Sequence, residues 1–298
     1  MSKAISYNDV KMIDKKAIKI GDSTFDNFIS KQGGIELGTM IALAGTPGAG
    51  KTTLCKKIQK DLSKNGDSIF FSLESRKSSV ARQTKRVKTS EREKICDVDD
   101  FNSWSSFISY IHQEKPLMVI VDSLQHAANL LSNENGKHKY DNYKQIIKDL
   151  YDWKDINEGI VILIVQLNSK GSVEGPMATI FDVDCPIFLT ANPKTEERTM
   201  HTEKNRMGPV GKIYYEFTSN DKCFKFSTEE EWSSKNNNSS ESEKLIEEAF
   251  KFINSLKKKD IKLYKKMKSK ISKIEYNNEL EYIIEILTIT KKASFYLN

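Results

Sequence analysis

No stretch of this chain stays apolar for long. Its most hydrophobic runs, LMVIV (117–121) and IVILIV (160–165), fall far short of the ~20 residues that a membrane-spanning helix needs. The first 22 residues carry charge throughout and contain no apolar core of the kind that opens a secretory signal. Cysteine is scarce. Cys55, Cys96, Cys185 and Cys223 stand far apart, and none has a second cysteine or a histidine at zinc-ligand spacing. Isolated thiols of this kind predict reduced, structural residues, which excludes a disulfide scaffold and a zinc module. No internal repeat is present. Excess charge is also modest, with 47 Lys and Arg against 41 Asp and Glu for a net +6. That balance permits a polyanionic partner without requiring one.

What the chain does have is alternation. TMIALAG (39–45), SIFFSLE (68–74), PLMVIVDS (116–123) and GIVILIVQLN (159–168) read as strands. Helical spacing is seen in 51–66, 78–88, 101–114 and 142–157. Strands that are apolar on both faces and separated by helices predict an α/β fold with a mostly parallel sheet covered on both sides. After residue 185, CPIFLTA, RTMHTEKNR, KIYYEFT and CFKFST predict a meander that extends the sheet with antiparallel strands. From 229 to 243 the composition turns acidic and rich in Ser and Asn, which predicts a linker. Two or three helical segments follow, and residues 251–273 hold ten Lys against one Asp. The expected organisation is a leader (1–24), a core domain (25–228), a linker (229–243) and a Lys-rich helical extension (244–298).

One segment in the core is chemically specific. Gly45-Thr46-Pro47-Gly48-Ala49-Gly50-Lys51-Thr52 fits the Gly-x-x-x-x-Gly-Lys-Thr phosphate-binding loop, and Thr53 follows it. The segment also lies between a strand and a helix, as that motif requires. Glycines let backbone N–H groups approach a phosphate closely, and the helix start adds its positive dipole end. Lys51 is the expected contact to the β- and γ-phosphates of ATP. The Thr52 hydroxyl is an expected Mg²⁺ ligand.

Three further residues sit at strand ends. Asp122 closes an apolar strand about seventy residues after the loop, with one strand between, and is the second expected Mg²⁺ ligand. Glu74 ends the intervening strand, at the edge where open α/β sheets bind ligands. It either polarises a water for attack on the γ-phosphate or is an ordinary solvated carboxylate. Gln166 ends the fourth strand, where it can sense the γ-phosphate and pass the signal to the following loop. That loop, with two glycines and Lys170, is either a mobile functional element or plain surface.

In this order these parts resemble the RecA-type ATPase core, and within it the bacterial RadA (Sms) proteins and the DnaB-type replicative helicases. The segments that carry the resemblance are LGTMIALAGTPGAGKTTL, FFSLES, VIVDSLQ, VQLNSKGSVEGP and EKNRMGPVG, the last resembling RadA's Lys-Asn-Arg-Phe-Gly with Met207 in place of Phe. It covers roughly residues 25–228. From the residues alone, Lys204 and Arg206 are two cations at a strand end. The resemblance implies that they reach a neighbouring subunit's γ-phosphate, and that Glu74 activates the water. It also implies a homo-oligomer, a hexameric ring with ATP at subunit interfaces. No counterpart of RadA's zinc ribbon and protease-like domain, or of the helical N-terminal domain of DnaB, is expected from these residues.

The function expected on these grounds is a DNA-dependent ATPase acting on single-stranded or branched DNA in recombination, repair or replication. Its DNA contacts are expected from Lys137, His138, Lys139 and Lys170, in loops near 126–141 and 168–180. The alternative is a nucleotide-gated regulatory or DNA-binding module without motor activity, as in circadian-clock and signalling relatives of the core. A P-loop kinase would need an Arg-rich lid, and none is evident. The Lys-rich tail can follow a phosphate backbone or form solvated helices packed on a partner. A cytoplasmic location is expected, or a host cytoplasm if the Lys/Asn/Ile-heavy composition reflects a phage.

Overall fold

The computed structural model describes residues 15–79, 90–168, 171–172, 177–192, 195, 197–218, 223–235, 251 and 265. The chain divides into two compact units, residues 1–229 and 230–298. Residues 230–235 of the second unit are helical, where composition predicted a linker. Lys170, most of the 78–88 helix and almost all of the Lys-rich extension lie outside the described residues. Among the described residues no helix is long and apolar enough to cross a membrane.

Eleven strands are described in the first unit. β1 (Ala17–Ile18) and β2 (Ile35–Glu36) pair in a small ribbon beside the main sheet. The main sheet holds β3 (Met40–Gly45), β4 (Ser68–Ser72), β5 (Glu93–Asp97), β6 (Met118–Asp122), β7 (Ile160–Gln166), β8 (Cys185–Ala191), β9 (Arg198–Thr202), β10 (Gly211–Phe217) and β11 (Phe224–Ser227). Their spatial order is β11-β10-β9-β8-β3-β7-β6-β4-β5. From β8 through β5 the neighbours run parallel. From β8 to β11 each strand turns back on the last. The helices are α1 (Ser23–Ile29), α2 (Lys51–Leu62), α3 (Trp104–Glu114), α4 (Leu124–Asn135) and α5 (Lys139–Asn157).

The apolar runs follow from two-sided burial. In β3, Met40, Ala42 and Ala44 face one core cluster while Ile41 and Leu43 face the other. β7 divides in the same way, with Val161, Leu163 and Val165 on one side and Ile160, Ile162 and Ile164 on the other. Strand side chains alternate between faces, so a strand covered on both sides must be apolar at every position. Residues of α3, α4 and α5 fill the first cluster, and those of α1 and α2 the second.

Three sequence expectations need correction. Two strands, not one, separate the phosphate-binding loop from Asp122 in the chain. The overlooked β5 is a sheet-edge strand carrying Glu93 and Lys94, and a short charged edge strand lacks the apolar signature of its buried neighbours. The expected DNA-facing loop at 126–141 is mostly helix. Leu124, Ala127, Ala128 and Leu131 are buried along one face of α4, and Gly136 ends it in the left-handed conformation. Lys204–Arg206 also do not lie on a strand, since β9 stops at Thr202.

Candidate active site

The phosphate-binding loop joins β3 to α2. Gly50 precedes the helix with φ at 93°, in the left-handed region. A Cβ there would lie 2.7 Å from Cζ of Phe217, so both the backbone angle and the space demand glycine. Two strands of the antiparallel meander pin the loop from the side. The Tyr215 hydroxyl donates to the Ala49 carbonyl, and Arg198 Nη1 donates to the Gly48 carbonyl at 3.3 Å.

Lys51 is buried, and its Nζ donates to the carbonyls of Gly45 (2.6 Å) and Thr46 (3.0 Å). Burial lowers its pKa, while Asp122 and Glu74 oppose the shift. The ammonium is therefore held inside its own loop by two neutral acceptors.

Parallel register brings the other groups to the same sheet edge. Ser72 stands beside Asp122, and Gly45 beside Gln166. Thr52 Oγ1 donates to Asp122 Oδ2 at 3.0 Å, joining the helix start to the end of β6. Asp122 is 5% exposed, and burial pushes its pKa up to about 6; Glu74 adds to the rise, while Thr52, Lys51 and His126 counter it. Gln166 Nε2 donates to Glu74 Oε2 at 2.8 Å. A cleft of about 360 Å³ is lined by Pro47, Gly48, Lys51, Glu74, Asp122 and Gln166, together with Gly50, Thr52, Thr53 and Phe217.

The donor set at this cleft fits Mg²⁺. Among the described residues no group of three His, Cys, Asp or Glu could hold a metal. Thr52 and Asp122 instead offer one hydroxyl and one carboxylate, both hard oxygen donors. That is the protein's usual share of a Mg²⁺ site completed by phosphate and water.

The pKa of Asp122 gives a signed prediction. A folded-state pKa raised from 3.8 to about 6 means that the folded chain binds the proton more tightly than the unfolded one. The stability of the nucleotide-free protein therefore falls as pH rises through that window, by about 3 kcal/mol at most. Asp122→Asn is expected to be more stable than the parent at pH 8, with the gap closing toward pH 5. Denaturant melts across that range check this, and a gap that stays constant with pH contradicts it.

Two expected sets of residues lie elsewhere. Lys204 Nζ donates to the carbonyls of Phe181 and Val183. Arg206 Nη1 donates to Asp184 Oδ1 at 3.1 Å and to the Tyr151 hydroxyl at 3.4 Å. Asp184 in turn accepts from the backbone N–H of Met40, so the pair sits at the start of β3, the end opposite Gly45. Six strand residues separate the two edges by roughly 20 Å. Lys137 and His138 lie in the connection from α4 to α5, where the His138 side chain caps α5 and Lys139 begins it.

Several site residues escape sequence reasoning. Gln125 is buried, and its amide donates to the Gln166 carbonyl at 3.0 Å and accepts from the Gln166 N–H at 3.2 Å. It continues the β6 ladder past the strand's end and so fixes Gln166. Its position at the end of VDSLQ, three residues after Asp122, is the available signal. Phe217 and Arg198 reach the loop only through the meander, with the guanidinium 4.7 Å from the ring centroid. The four cysteines are free, and burial pushes the thiols of Cys96 and Cys185 up to about 12, which keeps them unreactive.

Known proteins share both sequence and fold with this chain. The DNA repair protein RadA of Haemophilus influenzae is 24% identical over 224 residues, covering 71% of this chain and 45% of that protein. RadA of Helicobacter pylori is 26% identical over 202 residues, covering 67% and 44%. The chain thus spans less than half the length of these relatives. In three dimensions the chain resembles a crystal structure of a KaiC-like protein from Pyrococcus horikoshii, with a TM-score of 0.58 at 20% identity over 72% of this chain and all of the other. That likeness shows the α/β fold with its mostly parallel sheet and antiparallel C-terminal strands, the RecA-like core. The family described as "ATPase: KaiC" matches residues 18–231. With its phosphate-binding loop, its strand-end carboxylates and a match over most of its length, the chain belongs to the KaiC family of RecA-fold ATPases.

Proposed function

We propose that the protein hydrolyses ATP at subunit interfaces of a homo-oligomeric ring, a hexamer, and that single-stranded or branched DNA stimulates the reaction. The observation that carries this reading is the division of the reactive groups between the two ends of the sheet. Lys51, Thr52, Glu74 and Asp122 gather at one end, while Lys204 and Arg206 lie roughly 20 Å away at the other. A cation there cannot reach its own chain's nucleotide. It is well placed only for a phosphate bound by a neighbour.

In this reading the phosphates lie on the loop from Gly45 to Thr53, and Lys51 exchanges its two carbonyl partners for phosphate oxygens. Thr52 and Asp122 hold Mg²⁺, which neutralises phosphate charge when bound. Glu74 takes the proton of the attacking water, and Gln166, bonded to Glu74 at 2.8 Å, keeps that carboxylate at the cleft. Phe217, lining the same cleft with Arg198 over its ring, offers an aromatic surface to the base. The DNA partner is inferred from the RadA relatives. Lys137, His138, Lys139 and Lys170 are its proposed contacts.

ATP turnover measured with and without single-stranded DNA, in the parent and in Glu74→Gln, tests the proposal. Stimulation of tenfold or more by DNA is expected, with turnover lost in Glu74→Gln by roughly 10²–10⁴, the range of general-base catalysis. Turnover indifferent to DNA at every salt concentration favours instead a nucleotide-gated assembly or regulatory module.

A further inference from the structure

We propose that Asp97, at the end of the edge strand β5, is a positioning residue for Glu74: its buried carboxylate fixes the turn that presents Glu74 to the cleft. The inference rests on the assignment of Glu74 as the general base.

Glu74 is not on a strand. β4 ends at Ser72, and residues 73–76 form a turn before the chain becomes helical at Lys77. Such a turn needs anchors if its carboxylate is to stay within reach of one water. Sheet register supplies two sides to hold it from, because Ser72 lies between Asp122 of β6 and Asp97 of β5. On the first side, the Leu73 N–H donates to the Asp122 carbonyl at 2.8 Å. Within the turn, the Ser72 hydroxyl donates to the Ser75 carbonyl. On the second side, Asp97 Oδ2 accepts the Lys77 N–H at 2.8 Å, while Oδ1 accepts the Asp99 N–H at 3.0 Å. Glu74 is therefore bracketed by fixed backbone at 73 and 77.

Asp97 is 1% exposed, and among the described residues no side-chain cation forms a salt bridge with it; the Lys77 ammonium, bonded to Asp100, acts on it only through space. Burying a carboxylate on backbone donors alone is unfavourable unless those bonds are well made. The cations of the turn pair outside it, Arg76 with Asp99 and Lys77 with Asp100. Those pairs are exposed, and exposed ion pairs contribute little. The buried carboxylate is what determines where the turn sits. Asparagine at 97 would keep one acceptor and turn its NH₂ toward a backbone N–H, losing one of the two bonds.

The test uses the full chain with a single-stranded oligonucleotide, measuring kcat, KM for ATP and nucleotide Kd. Asp97→Asn is expected to lower kcat by roughly 10- to 100-fold, the scale of a small misplacement of a reacting group, with Kd within twofold of the parent. In the Glu74→Gln background the same change should cause no further loss, because the group it positions is gone. Lys77→Pro removes the N–H that Asp97 accepts, at a first helical position where proline is tolerated, and should show the same kcat-only loss; it decides the matter if Asp97→Asn does not fold. Lys77→Ala, which keeps that N–H, should turn over at the parent rate. The proposal is overturned if Asp97→Asn or Lys77→Pro retains parental kcat, or if Kd worsens in step with kcat. An equal loss on top of Glu74→Gln overturns it too. Full turnover in Glu74→Gln is a separate result, which removes the base assignment and the Asp97 role with it.

Discussion

Arg206→Ala is expected to leave ATP affinity within about threefold of the parent while turnover falls roughly 10³-fold, the lower end of what an arginine finger contributes. Arg206 meets Asp184 and Tyr151 of its own chain, at the sheet end away from its own cleft. Its side chain is 57% exposed, so losing the pair with Asp184 should alter stability by less than about 1 kcal/mol. The damage should appear in catalysis alone. Mixing supplies the decisive measurement. Lys51→Ala subunits lack a working phosphate site but keep Arg206, and Arg206→Ala subunits have the reverse defect. Combined, they form hybrid interfaces in which both halves are intact, and activity should partly return. Normal turnover by Arg206→Ala, or mixtures as inactive as their components, rules out the shared site.

Lys51→Ala should abolish turnover and weaken nucleotide binding by roughly 10²–10⁴. Two charge-assisted hydrogen bonds to phosphate contribute about 3–6 kcal/mol together. The local charge supports a loss on this scale. Lys51 lines the cleft beside two carboxylates, Glu74 and Asp122, so removing it leaves an anionic ligand facing anionic walls. The folded, nucleotide-free protein should not suffer, because burial already disfavours the charged amine. Titration calorimetry with ATP and Mg²⁺, alongside thermal melts, separates the two effects. Parental affinity in a folded Lys51→Ala would show that the phosphates lie elsewhere.

How much of this was legible in the chain depended on how local each signal is. β3, β6 and β7 could be read directly because they are buried on both faces, and a short, unbroken apolar run between turn residues suits a strand inside a covered sheet. The phosphate-binding loop could be read because its chemistry lies within nine consecutive residues. Asp122 and Gln166 could be placed at strand ends, which the parallel register brings to one edge, whereas Glu74 falls two residues past the end of β4, in the turn after Ser72. β5 lacks an apolar signature because much of an edge strand faces solvent. α4 has regular apolar spacing, but the polar residues around it read as a loop. Phe217, Arg198 and Asp97 left no sequence signal. Each is an ordinary residue whose partner is distant in the chain: 167 residues from Phe217 back to Gly50, 150 from Arg198 to Gly48 and 20 from Asp97 to Lys77.

The amino-acid order by itself determined the layered α/β architecture, the phosphate-binding-loop motif and the carboxylate that ends β6, since periodicity and short motifs are properties of neighbouring residues. Only the tertiary structure decided that Gln166 bonds Glu74 and that Asp97 braces the turn carrying it. It also decided that Lys204 and Arg206 stand at the far end of the sheet from the phosphate-binding-loop cleft of their own chain. Those relations depend on strand order and register, which arise from long-range packing and have no imprint on any local stretch.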